Sequence, residues 1–298
     1  MKFLVAPLCS DLTKPQEVVR CINSVRDQEE HPFDWDIKVV ANTNDDEYAE
    51  SVRKAVDVEV VQTESNGGNG MGHNSVLQLF RDRYREEGYT HLIMVDADDF
   101  YYPCAFQAID DLLVLDPDID YCGVGTNADS VRRGMGHSSI ELIPGIHLHS
   151  NFNRRYPIPM NVIHDGQSCP GGEVTLFVSA NAVEQDLWHM EWPMIPDDHT
   201  HMLWAIKHHF LGNLKYVSTD TTDVYVYDKT RPTGTTNQPT FQFNPALWPQ
   251  EAREYLFSNF ADIVGVTKGH LPFMTIPPIF FPGEKCDFVR DQLLFFDE

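Results

Sequence analysis

Positive charge is scarce in this chain: 22 Lys and Arg stand against 45 Asp and Glu over 298 residues, a formal net charge of -23. Such a surface repels phosphate backbones and anionic membranes, so nucleic-acid binding, DNA as an acceptor included, is disfavoured without a local basic patch. The densest basic spots, "RRGMGH" and "NRR", do not make one. The six cysteines (Cys9, Cys21, Cys104, Cys122, Cys169, Cys286) contain no CxxC pair and lie far apart, as expected of reduced thiols. That spacing argues against both a disulfide framework and a thiolate metal cluster. No stretch approaches the roughly 18 apolar residues of a membrane span, and the apolar run in "MKFLVAPLCSD" is too short for a signal peptide. A soluble protein of the cytoplasm, or of a host's cytoplasm, is the expectation. Internal repeats, low-complexity tracts and clear linkers are also missing. The one glycine-rich stretch, "NGGNGMG", lacks GxGxxG spacing and follows the third strand, not the first.

What the chain does have is an alternation of strand and helix patterns. "KFLVAPL", "DIKVVANT", "VEVVQT", "HLIMVD" and "DYCGVG" are apolar without period-two alternation, as strands buried on both faces are. Between them lie amphipathic patterns. One is "TKPQEVVRCINSVRDQ", with Thr13 and Gln16 in capping-box spacing; another is a short helix from Glu47 to Ala55. A helix over 73–87 is predicted from Val76, Leu79, Phe80 and Tyr84 and closes at Gly88; a further one carries Phe106, Ile109 and Leu113 on one face. The expected fold class is therefore α/β, a mostly parallel central sheet flanked by helices, with ligands beyond the C-terminal strand ends.

The second half is less periodic. Residues 134–172 are rich in Gly, Pro, His and Asn and read as loops over the sheet edge; "EVTLFVSA", "LKYVST" and "DVYVYD" read as strands and "DDHTHMLWAIKHHFLG" as a helix. Further helices are expected near 249–261 and 287–296. The organisation expected is a catalytic domain over 1–228, with a nucleotide half (1–125) and an acceptor half (126–228), and a C-terminal extension over 229–298.

Three constellations carry chemistry. "VDADD" ends a buried strand in Asp96, Asp98 and Asp99, and extended geometry puts the first two on one side. Carboxylates this close raise each other's pKa unless a hard cation joins them, so the segment is either a divalent-metal site or a loop that caps the next helix. In "NGGNGMGHN" the glycines either admit a ligand or make a tight turn, and His73 and Asn74 suit phosphate or sugar better than a core. In "MIPDDHTHMLW", Asp197 or Asp198 is a helix cap or a general base kept ionised by the helix start, and His199 with His201 makes only a weak zinc pattern. His147 and His149 share a face if extended, and Trp188, Trp192 and Trp204 are core residues or a sugar platform.

In their order, "VAPLCSD", "CINSVRDQ", "IKVVANTND", "TESNGGNGMGHNS", "MVDADD", "GGEVTLFVSANAV" and "IPDDHTHMLWAIKHH" resemble a nucleotide-diphospho-sugar glycosyltransferase of the GT-A kind, close to family 2. The resemblance covers residues 1–125 evenly and 170–228 loosely. It implies transfer of a sugar from a nucleotide diphosphate, UDP-linked in the commonest case, to a carbohydrate or other hydroxyl acceptor, with Mn²⁺ or Mg²⁺ as cofactor and inversion at the anomeric carbon. Asp98 would then be the metal ligand of a DxD motif and Asp96 would lie near the ribose or the metal-bound phosphate. Pro7 would line the nucleotide pocket, Asn74 would match the Asn of the family's Ala-Arg-Asn element, and Asp198 would be the catalytic base. Two departures stand out. "ANTN" (41–44) replaces the usual acidic pair after the second strand, leaving Asn42 or Asp45 to meet the base, and His73 replaces the family's Arg. Two alternatives stay open: a sugar nucleotidyltransferase, which would ordinarily have a glycine-rich loop after the first strand that "PLCSDLTKP" lacks, and an inactive sugar- or nucleotide-binding protein of the same fold.

Overall fold

The computed structural model describes residues 1–124, 140–143, 146–148, 174–185, 187, 189–193, 197, 201, 204–205, 208, 211–219, 225–226, 240, 249–252 and 275–276. The candidate base Asp198, His149, Trp188, His199, most of the loops expected over 134–172 and the helix expected over 287–296 lie outside the described residues.

The apolar runs become neighbours in one eight-stranded sheet. Its members are β1 (Lys2–Cys9), β2 (Asp34–Asn42), β3 (Glu59–Thr63), β4 (His91–Asp96), β6 (Tyr121–Val124), β9 (Val174–Ser179), β10 (Tyr216–Thr219) and β12 (Thr275–Ile276), in the order β12–β10–β6–β9–β4–β1–β2–β3. β1 pairs in parallel with β2 and β4, β2 with β3, and β10 with β6 and β12. β9 runs antiparallel to both its neighbours, β4 and β6, so the sheet is mixed. Two small pairs stand apart: β5 (Phe100–Tyr101) with β11 (Tyr225–Val226), and β7 (Ile140–Ile143) with β8 (Ile146–Leu148). The edge strand β12 comes from within 229–298.

Helices α1 (Pro15–Arg26), α2 (Asp46–Ala55), α3 (Asn69–Glu87), α4 (Ala105–Leu115) and α5 (Ala180–Glu184) cover the sheet. Alternate residues of each central strand enter different cores. Leu4, Ala6, Leu92 and Met94 pack with Val76, Leu77 and Phe80 of α3, while Phe3, Val5, Ile93 and Val95 pack with Cys21 and Val25 of α1 and Phe106 and Ile109 of α4. A strand that is apolar on both faces cannot alternate, which is why period two is missing from these runs. Trp204 is buried in the α3-side core and is a core residue, with the partly buried Trp192 packed against that core. Among the described residues no helix is long and apolar enough to cross a membrane.

Two helix starts differ from expectation. Pro15, which fixes φ and has no N–H to satisfy, is the first residue of α1; the box is closed one residue later than predicted, by the Glu17 carboxylate accepting from the Lys14 N–H at 2.6 Å. α3 begins at Asn69, four residues before the predicted start, because Gly70 and Gly72 pack inside its first turns, while Gly67, at a φ of 81°, turns the chain ahead of the helix.

A polar stripe on α1 fixes the chain that follows the acidic tip of β4. Residues 20, 24 and 28 are four apart and so share one helix face. The Arg20 guanidinium donates to the Asp98 carbonyl and lies 4.6 Å over the Phe100 ring. The Ser24 hydroxyl accepts from the Tyr101 N–H at 3.1 Å. Just past the helix, the buried Gln28 amide donates to the Ser24 and Tyr102 carbonyls at 2.7 and 2.9 Å and accepts from the Phe106 N–H at 2.8 Å. Replacing Gln28 would strand buried main-chain groups at the start of α4. Gln28→Ala is expected to lower unfolding free energy by about 2–3 kcal/mol, whereas Gln16→Ala, on the exposed face, should stay within about 0.5 kcal/mol; urea titration of the two variants measures both. Equal effects would remove the stripe as a determinant of this segment.

Candidate active site

β4 delivers its carboxylates to the C-terminal edge of the sheet beside the end of β1, where Leu8 is opposite Asp96 and the Ala97 N–H donates to the Leu8 carbonyl at 2.8 Å. There the chain turns, the Asp99 N–H reaching back to the Asp96 carbonyl at 2.8 Å. The turn separates the three acids. Asp96 and Asp98 are partly exposed, whereas Asp99 is fully buried and accepts from the Tyr225 hydroxyl of β11 at 2.6 Å.

His73, on the second turn of α3, stands between Asp96 and Asp197. Its Nε2 is 3.1 Å from Asp96 Oδ1 and its Nδ1 is 2.6 Å from Asp197 Oδ2. Both ring nitrogens face carboxylates, so both carry protons and the ring is an imidazolium. Burial works against that charge, but the charge and hydrogen bond of Asp197 and then those of Asp96 outweigh it and hold the His73 pKa well above the usual value. Asp197 is 3% exposed. Burial would raise its pKa; His73 charge and hydrogen bonds from His189 and His73 instead drive it far below the ordinary carboxylate range.

The second donor to Asp197 is His189, whose Nδ1 is 2.8 Å from the same Oδ2. Its burial pushes its pKa down to about 4, so the ring is neutral and its one proton sits on Nδ1. His201 stacks against it with ring centroids 3.8 Å apart and is likewise kept neutral, mainly by burial. Its Nδ1 is 3.2 Å from Thr175 Oγ1 and 3.4 Å from the Tyr121 hydroxyl.

The glycine-rich segment makes this assembly possible. A Cβ on Gly70 would lie 1.9 Å from the Met190 carbonyl oxygen, so only glycine lets α3 lie this close to the strand of chain that carries His189. One turn on, the buried Asn74 amide grips the same chain in both directions. It accepts from the His189 N–H at 2.8 Å and donates to the His189 carbonyl at 3.0 Å and to Glu191 Oε1 at 2.9 Å. Arg81 continues the contact, donating to the Val183 and Leu187 carbonyls. α3 is thus the template on which Val183, Leu187, His189 and Glu191 are laid.

The candidates from the sequence divide accordingly. Asp96 and Asp98 share one edge with His73, and Asp197 joins them from more than 90 residues away. Pro7 is buried in β1 opposite Val95. Asn42 is buried at the end of β2, and its Nδ2 donates to Thr63 Oγ1 at 3.1 Å and to the Glu64 carbonyl at 2.5 Å. Asp45 caps α2, accepting from the Glu47 and Tyr48 N–H groups at 2.8 and 3.1 Å. Asn74 is the clamp just described. His189 has no motif to mark it: a lone histidine in "DLWHMEWP" carries no spacing signal, and the Asn74 that grips its main chain is 115 residues away. Two donor sets could hold a divalent ion, the Asp96 and Asp98 oxygens and the group His73, His189 and Asp197, whose ligand atoms lie within 4.8 Å of one another.

The model of glycosyl transferase family 2 matches residues 12–172. Among solved structures, S. aureus TarS 1-349 in complex with UDP-GlcNAc is similar at 14% identity with a TM-score of 0.54, covering 89% of this chain and 67% of that one. A longer S. aureus TarS structure is similar at 14% identity and a TM-score of 0.50, covering 88% of this chain. The present chain spans 43% of that longer TarS chain. At these identities the likeness is one of fold, a GT-A-like α/β architecture. A search of curated proteins finds no match.

The charged bridge has a definite pH window. His73, with a folded pKa above its ordinary 6.5, contributes fully below about 6.5 and loses its contribution as pH rises through the raised value. Asp197, with a depressed value, contributes above its ordinary 3.8 and loses its contribution as pH falls through the folded value. Buried neutral His189 opposes stability as pH falls from 6.5 toward about 4, mainly through burial, with the His73 charge adding to it. In metal-free protein at about pH 6, His73→Gln is expected to lower stability by about 3 kcal/mol, the cost of depriving a buried carboxylate of its charged partner. Urea titrations across pH should show the gap narrowing on the alkaline side. A gap that does not change with pH would mean His73 carries no charge.

Proposed function

The chain belongs to glycosyl transferase family 2, and on that premise we propose that it moves a hexosyl group from a UDP-sugar to an acceptor hydroxyl with inversion at the anomeric carbon. One observation carries the reading: His73 joins the carboxylate tip of β4 to Asp197, so donor-side acids and an acid of the second half meet at one edge of the sheet.

Asp98 would hold the Mn²⁺ or Mg²⁺ that the family implies. The residues present suit it, since Asp98 and Asp96 are partly exposed oxygen donors at the strand end, the chemistry a hard cation prefers. Bound there, the ion would neutralise charge growing on the diphosphate leaving group. Asp96 is oriented by His73 and would face the ribose or an α-phosphate oxygen. The nucleotide base would lie beyond the ends of β1 and β2, near Pro7, Asn42 and Asp45. Because the Asn42 amide and the Asp45 carboxylate already hold the ends of β2 and α2, we assign them to shaping that pocket.

The base is assigned to Asp198 over its neighbour. Asp197 accepts from two imidazoles and has a strongly depressed pKa, so it is a poor proton acceptor. Asp198 would take the acceptor's hydroxyl proton as its oxygen attacks the anomeric carbon. The bond from that carbon to the diphosphate oxygen breaks, and UDP departs with the electron pair. Acceptor binding is assigned to residues 134–170 and the site of action to the cytoplasm, the cell's own or a host's.

Calorimetric titration of UDP should give clearly tighter binding with Mn²⁺ than with EDTA, and Asp98→Ala should remove most of that difference. With a donor and acceptor pair found by screening nucleotide sugars for hydrolysis, Asp198→Asn is expected to keep UDP affinity and cut transfer by about a hundredfold or more. UDP binding that ignores metal would sink the role of Asp98. Transfer at a normal rate in Asp198→Asn would remove the inverting base.

A further inference from the structure

We propose that His73, His189 and Asp197 form a second metal site, for an ion of the Zn²⁺ class, separate from Asp98 and independent of nucleotide. Two imidazoles and one carboxylate are a nitrogen-rich set that suits zinc and its neighbours, unlike the all-oxygen pair Asp96 and Asp98, which suits Mg²⁺ or Mn²⁺. The atoms are close to position already. Asp197 Oδ2 is 2.6 Å from His73 Nδ1 and 2.8 Å from His189 Nδ1, and one ligand atom from each residue lies within 4.8 Å of the others. An ion with bonds of about 2.0–2.2 Å keeps tetrahedral ligands roughly 3.4 Å apart, so the side chains need move by less than about 1 Å.

One feature besides the donors points to an ion. With Nδ1 as the ligand, His73 presents its other nitrogen, Nε2, to the Asp96 carboxylate at 3.1 Å, the outer hydrogen bond that fixes the ring of a metal-bound histidine. Access is from the Asp96 side, where that carboxylate is 36% exposed and the His73 ring 13%. An ion here would cross-link α3 to His189 and Asp197, reinforcing the contact that Gly70 and Asn74 begin, and would stabilise the fold through binding.

The test uses the full chain stripped with EDTA, then given Zn²⁺ or Co²⁺ without nucleotide. One ion per chain, a melting temperature raised by several degrees, and the intense visible absorption of low-symmetry, four- or five-coordinate Co²⁺ are expected. His189→Gln and His73→Gln should abolish the Co²⁺ spectrum, Asp96→Asn should weaken affinity by about 10–100-fold, and Asp98→Ala should leave it intact. Wild-type protein with no zinc-dependent melting shift and no such spectrum overturns the proposal, even if the histidine variants fail to fold. Binding that survives His189→Gln but disappears in Asp98→Ala also overturns it, placing the ion on the strand-tip carboxylates.

Discussion

A protonated imidazole held between two carboxylates is the interaction on which the rest of the site depends. His73 contacts Asp96 on the sheet edge and Asp197 from the second half of the chain, and without a positive charge between them the two acids would repel each other in a partly desolvated space. One cation therefore does two things: it keeps Asp197 ionised far below the usual range and it aims Asp96. An arginine at this position would carry its charge at every pH. A histidine makes the bridge conditional on protonation, and it also supplies nitrogens that a metal ion can use.

The bridge forms only because two scaffolds hold its ends still. On one side, the α1 stripe of Arg20, Ser24 and Gln28 bonds the main chain from Asp98 to Phe106, so the acidic tip is not a free loop. On the other, the glycine-containing start of α3 lies against the Met190 carbonyl, and Asn74 pairs with both main-chain groups of His189. Gly70 of "NGGNGMGHN" thus answers a packing requirement of the protein itself, and Gly67 a turn. The same first turns bring His73 to the sheet edge, so packing and site geometry are not separable there.

Membership of glycosyl transferase family 2 fits this arrangement. The first four strands of the large sheet pair in parallel, β3 with β2, β2 with β1 and β1 with β4, and β9, antiparallel to both its neighbours in that sheet, brings the second half back against β4. Of the two departures from the family pattern, one lies after the second strand. "ANTN" lies where an acidic pair is usual, and here Asn42 links β2 to β3 while Asp45 caps α2. Both are structural duties that a changed base contact would leave in place.

The sequence by itself determined the layering. Apolar strands without alternation, amphipathic helices between them and the carboxylates at the end of "HLIMVD" are local patterns set by backbone geometry and burial, and they name the sheet, its helices and its functional edge. Local pattern also separated Asp99 from Asp96 and Asp98. What it could not contain was the reversal of β9, the start of α3 ahead of its apolar periodicity, or the joining of residues 73, 96, 189 and 197. His189 has no motif around it, and Asp197 reads equally well as a cap. Their roles come from contacts across more than 90 residues, where charge, desolvation and a carbonyl 1.9 Å from an absent Cβ decide the outcome. Those are properties of the folded interior, so only the tertiary structure could assign them.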